Sequence, residues 1–170
     1  CSATLMKDGK PAMKADVSEG KEGMGPVAGN ELHARFEMKS GVPFYFDSIV
    51  NAGTKEANFG LQLIGTKGII DLRVDVDPLV HLCEGNPFFP AGERKWVPVS
   101  AGAEGKDVAK HFTGARDLFA SIREDRAPLC SAEDGRTTVA MIFAVLESHV
   151  QGGKRVTMDQ LPKTNPLLGW

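Results

Sequence analysis

The chain has 170 residues, 42% hydrophobic and 25% charged, with a formal net charge of -2. That length allows one domain with a real core. The near-neutral balance excludes the basic surface of a nucleic-acid or acidic-membrane binder, and no run approaches the roughly 18 apolar residues of a membrane span. The first residue is Cys1, and no basic, apolar, small-residue series follows it. No signal peptide is read, so a mature N-terminus or a piece of a longer product is expected. The expected compartment is cytoplasmic, or periplasmic if an export signal lies upstream. Cys1, Cys83 and Cys130 are odd in number, widely spaced and without a C-x-x-C pair. Neither a zinc ribbon, a thioredoxin-type pair nor a disulfide framework is supported, and reduced thiols are expected.

In chain order, 1–6 reads as a short strand and 7–30 as a long irregular loop, rich in glycine with Pro11 and Pro26. ELHARFEM (31–38) alternates, with Leu32, Ala34, Phe36 and Met38 on one side and His33, Arg35 and Glu37 on the other. This marks a strand with one face buried and one solvated. PFYFDSIV (43–50) is a second strand, and 51–58 a polar connection. FGLQLIG (59–65) and GIIDLRVD (68–75) flank Thr66-Lys67 as a hairpin. PLVHLC (78–83) is a further strand, 84–95 a loop, and WVPVS (96–100) an edge strand that tolerates Pro98. A helix over 107–125 carries Val108, Phe112, Ala115, Phe119 and Ile122 as one apolar stripe, and Pro128 stops it. A second helix starts at Ser131 as N-cap with Asp134 three residues on. Its stripe is Val139, Ile142, Phe143, Leu146 and Val150, and Gly152-Gly153 ends it. KRVTM (154–158) is read as a returning strand and the proline-containing tail as extended.

Strands followed by helices predict an α+β fold: an open, mixed but largely antiparallel sheet with helices on one face, in a single domain spanning 1–170. The opposite face is then left open. With strands in register it carries His33, Arg35, Glu37, Tyr45, Asp47, Gln62, Asp71 and Arg73. These are the candidate substrate-wall or interface residues. The stiff loop GNPFFP (85–90) adds Asn86 and Phe88 as candidate contacts.

Other chemistry is weaker. Gly23, Gly25 and Gly29 spell G-x-G-x-x-x-G. A dinucleotide fingerprint needs a buried strand before it and a helix start after it. Here a polar loop precedes, a strand follows, and Pro26 lacks an N–H, so a flexible loop is expected. None of His33, His81, His111 and His149 has metal-ligand spacing, and no metal is expected. Asp75-Val-Asp77-Pro78 lacks the glycine and distal glutamate of a calcium loop and reads as a turn. No G-x-S-x-G nucleophile elbow occurs.

Two segments together resemble the C-terminal domain of the Gfo/Idh/MocA oxidoreductases, the glucose–fructose oxidoreductase and inositol dehydrogenase group. One is the hairpin LQLIGTKGIIDLRVD (61–75). The other is DLFASIREDRAPLCSAEDGRTTVAMIFAVLESHVQGGKRVTM (117–158), which resembles the family's last helix pair and closing strand. DVDPLV and GNPFFP resemble a bacterial subgroup. The resemblance implies an open sheet with helices on one side, and a substrate-binding and oligomerising role in an NAD- or NADP-dependent enzyme acting on a sugar or polyol. It implies a homo-oligomer through the sheet face and a sugar-like small-molecule partner. The chain departs from the family in having no strand–Gly-x-Gly-x-x-Gly–helix unit and no Glu-Lys-Pro segment. The helix bearing the family's catalytic histidine is placed upstream of Cys1. No catalytic, cofactor-binding or metal residue is therefore carried over, and the chain alone is not expected to be catalytic. The alternative is a stand-alone, non-catalytic binding or assembly module of the same fold.

Overall fold

Alternation between large apolar and polar residues builds the first sheet. The computed structural model describes residues 1–50, 52, 59–73, 79–86, 92–99 and 112–170, the side chain of Glu22 excepted. In chain order the strands are β1 (Ser2–Lys7), β2 (Lys10–Pro11), β3 (Val17–Glu19), β4 (Pro26–Ala28), β5 (Glu31–Glu37) and β6 (Pro43–Ile49). There follow β7 (Gly60–Gly65), β8 (Gly68–Arg73), β9 (Val80–Glu84) and β10 (Val97–Val99), then the helices α1 (Phe112–Glu124) and α2 (Ala132–Val150). The fold is α+β, with open antiparallel sheets. Two units separate: Cys1–Val50 with Cys130–Trp170, and Asn51–Leu129.

In the first unit the sheet order is β2-β1-β5-β6. Cross-strand partners share a face, so Ala3, Ala34 and Phe46 line up, as do Leu5, Leu32 and Ser48, and Phe36 with Phe44. This is the covered face. Ala3, Leu5, Ala34 and Phe36 are buried against Val145 and Leu146 of α2, with Ala12, Ala28 and Leu167 completing the core. Phe36 and Phe44 add an aromatic pair at 5.7 Å.

The segment 7–30 is not an irregular loop throughout. It contains β2, the β3–β4 ladder and two short 3-10 turns, Lys14–Asp16 and Lys21–Gly23. Its anchor comes from the far end of the chain: Asn165 Nδ2 donates to Pro26 O at 3.0 Å. Tail residues 166–168 form a 3-10 turn rather than extended chain.

α2 begins as the sequence predicts. Ser131 Oγ accepts from Asp134 N at 3.2 Å, and Asp134 Oδ2 accepts from Ser131 N at 2.8 Å. The Ser131 backbone N–H first, then the Ser131 hydroxyl, which donates to the same oxygen at 2.8 Å, hold the Asp134 carboxyl below its usual range. Ser131→Ala is expected to cost about 1 kcal/mol, read by chemical denaturation; no change would show that the cap contributes nothing.

The buried side of α2 differs from its most apolar stripe. Val139 and Ile142 are exposed, whereas Ala144, Val145, Leu146, Ser148 and His149 are buried. Ser148 and His149 face β1 because that strand has backbone groups to satisfy, a pull that counting apolar residues does not detect. KRVTM is likewise not a strand. Only Val156 pairs, donating to Cys1 O and accepting from Cys1 N, both at 2.8 Å.

In the second unit the order is β10-β9-β8-β7, all antiparallel. One face carries Leu61, Leu63, Ile70, Leu72, Val80, Leu82, Val97 and Val99, with Glu84 as its charged residue at one end. The expected apolar stripe of α1 does not face a core. Phe112, Ala115, Phe119 and Ile122 are exposed, and Val108 lies outside the described residues. The buried residue of α1 is Ser121. Arg126 donates to Ser121 Oγ at 3.0 Å and to Asp117 Oδ1 at 2.8 Å, and Leu129 N donates to Asp117 Oδ2 at 2.7 Å. The chain leaving α1 thus folds back along its polar side.

Candidate functional site

The face of the first sheet opposite α2 is a polar grid, and the register fixes its rows. They are Met6–Glu31–Ile49, Thr4–His33–Asp47, Ser2–Arg35–Tyr45, and Glu37 with Pro43. Five of the eight residues expected on an open face therefore share one here: His33, Arg35, Glu37, Tyr45 and Asp47. Tyr45 is 63% exposed, enough for its ring to meet a partner.

The charges on this grid are paired. His33 Nδ1 lies 2.6 Å from Asp47 Oδ1, and Nε2 lies 2.6 Å from Glu31 Oε1. The Asp47 bond first, then the Glu31 bond, hold His33 above the ordinary histidine range. Arg35 Nη1 donates to Glu37 Oε1 at 3.1 Å, and Arg155 donates to Glu37 Oε2 from Nη2 at 2.8 Å and from Nε at 3.1 Å. The Arg155 bonds are the main cause of a lowered Glu37 pKa. Glu31 was legible in sequence, since it lies two residues before His33 and a strand repeats every two. Arg155 was not, being 118 residues from Glu37.

Gln62, Asp71 and Arg73 lie in the other unit, on the sheet face opposite the apolar one. Gln62, Asp71 and His81 are cross-strand neighbours. Asp71 is buried and accepts from Arg73 Nε at 2.6 Å. The Arg73 guanidinium lies 5.9 Å from the centre of the Trp96 ring. His81 Nδ1 is buried without a hydrogen-bond partner. His81 joins this cluster only through the register of β8 with β9. The eight candidates thus form two groups, each on its own sheet. Asn86 is exposed and its carbonyl accepts from Arg94. Phe88 lies outside the described residues, as do Asp75, Asp77 and Pro78. An Asp-x-x-x-His spacing occurs twice, at Asp77 to His81 and at Asp107 to His111; of these four residues only His81 is among the described ones.

The glycine cluster has a conformational role. Gly29 has φ +78°, and a Cβ there would lie 2.2 Å from Met6 O. Cys1, Cys83 and Cys130 are free. Among the described residues no group of three His, Cys, Asp or Glu is placed to hold a metal ion, and no helix is long and apolar enough to cross a membrane. No family model matches the chain, and neither a curated protein nor a solved structure does.

Proposed function

We propose that this chain is the substrate-facing and oligomerising domain of an NAD(P)-dependent oxidoreductase that acts on a sugar or polyol. The observation that carries the reading is the asymmetry of the first sheet. α2 buries one face, while the other presents an ordered set of charged side chains with an exposed tyrosine on its edge strand. A sheet face of that kind suits a second copy or the wall of a polar pocket. The oxidoreductase class comes from the resemblance of the 61–75 hairpin and the 117–158 helix pair. On this reading the nicotinamide cofactor and the catalytic groups are supplied by a Rossmann domain encoded before Cys1.

The test is the coding sequence upstream of Cys1. A Rossmann domain there supports the proposal. A start codon or an unrelated domain sinks it and leaves a stand-alone binding or assembly module. NAD(H) titrated into the isolated chain is expected to show no micromolar binding. Light scattering after size exclusion is expected to give a dimer, and Tyr45→Glu a monomer, because a carboxylate on that face must be desolvated on association. A wild-type monomer at every accessible concentration would remove the oligomerising role.

A further inference from the structure

We propose that His33 is a protonation-controlled clasp that ties the edge strand β6 to β5 across the open sheet face. The geometry is the argument. Both ring nitrogens lie 2.6 Å from a carboxylate oxygen, Asp47 on one side and Glu31 on the other. A carboxylate only accepts, so each contact needs an N–H, and only the doubly protonated imidazolium offers two. In a neutral ring one nitrogen lone pair would face a carboxylate oxygen at the same distance. Glu31 is on the histidine's own strand, and Asp47 is on β6, the last strand of the sheet. The Asp47 contact is therefore the cross-strand tie.

The surroundings support the same reading. Arg35 and Glu37 follow on β5, and Arg155 reaches Glu37. Across from His33 on β1 stands the uncharged Thr4. On β6, Tyr45 and Ile49 flank Asp47, and α2 packs on the opposite face. With His33 protonated, the three carboxylates of Glu31, Glu37 and Asp47 are matched by Arg35, Arg155 and the imidazolium. Glu31 and Asp47 form their ion pairs with His33, so loss of its proton takes that cation away from both carboxylates, one of them on the edge strand. A group whose folded pKa is raised stabilises the fold fully below its unfolded value, and that contribution disappears as pH rises through the folded value. The clasp is thus closed at acidic pH and opens as pH climbs past the ordinary histidine range. This inference concerns the chain itself and is independent of the oxidoreductase reading.

Nitrogen-15 NMR of the 170-residue chain tests it. The expected spectrum shows both His33 ring nitrogens protonated at the ordinary histidine midpoint, with titration above it. Asp47→Asn is expected to move that midpoint down, and Glu31→Gln to move it down by less. Amide protection factors along β6 are expected to fall as His33 deprotonates, while those along β1 hold, and Asp47→Asn is expected to abolish the step. A neutral single tautomer below the ordinary midpoint, or a midpoint indifferent to Asp47→Asn, overturns the proposal. These substitutions, at exposed Asp47 and half-buried Glu31, lie outside the core, so either outcome can be read on folded protein.

Discussion

His149→Phe is expected to destabilise the chain by about 3 kcal/mol, although it keeps the size and flatness of the ring. The reason lies at the outer edge of β1. Beyond the Met6–Pro11 pair, the next rung toward β2 is half made: Ala12 N donates to Leu5 O at 2.9 Å. The reciprocal bond is missing, and the imidazole of His149 replaces it. Leu5 N donates to His149 Nδ1 at 3.1 Å, and Nε2 donates to Ala12 O at 3.0 Å. That arrangement selects the tautomer with its proton on Nε2. Phenylalanine would preserve the edge-on contact with Trp170 at 5.1 Å. It would strand a buried N–H and a buried C=O, each costing about 1–3 kcal/mol. Denaturant unfolding gives the number; a loss below about 1 kcal/mol would show that the ring only fills space. Ser148 serves the neighbouring rung, accepting from Ala3 N at 2.8 Å and donating to Lys154 O at 2.7 Å.

Gly29→Ala is expected to cost about 3 kcal/mol or more, and Gly23→Ala only about 1 kcal/mol. Both glycines have positive φ, +78° and +73°. Each substitution therefore carries the left-handed penalty of about 1–2 kcal/mol for an L side chain. The difference is space. At Gly23 an added Cβ meets nothing within 4 Å, whereas at Gly29 it would collide with Met6 O. That carbonyl cannot retreat freely, because it accepts from Asn30 N at 2.9 Å. Thermal or denaturant unfolding of the two variants side by side decides the matter. Equal, small losses would refute the close approach at Gly29.

The two glycines show what was legible in the sequence and what was not. Their cluster was separable from a nucleotide fingerprint by context alone, since a strand and not a helix follows it. That Gly29 must pass over the Met6 carbonyl depends on contacts 23 residues apart, which no local pattern carries. The same division holds elsewhere. Alternation revealed β5 and its polar face, and cap chemistry revealed the start of α2, because both are local signals. The covered side of α2 was read in part, through Leu146 and Val150, and otherwise missed because Ser148 and His149 are polar, and their place is set by the backbone of β1. α1 was misread for a related reason: Asp117 and Arg126 draw the following chain to its polar side. The candidate site was half legible. Period-two alternation grouped His33, Arg35 and Glu37, and register added Tyr45 and Asp47. Nothing local indicated that Gln62, Asp71 and Arg73 belong to a second sheet.

The outer edge of β1 also bears on the order in which the molecule assembles. Its hydrogen-bond partners on α2 and at Val156 lie 144 to 155 residues further along the chain. During synthesis β1 emerges before α2 and waits for it, with donors open to any strand that passes. The contiguous unit Asn51–Leu129 can form in that interval. Completion of the first unit is a loop-closing event spanning most of the chain, the kind of step that slows folding. Ser148 and His149 are then the latch that ends that vulnerable interval, and variants at these positions are expected to aggregate during refolding as well as lose stability.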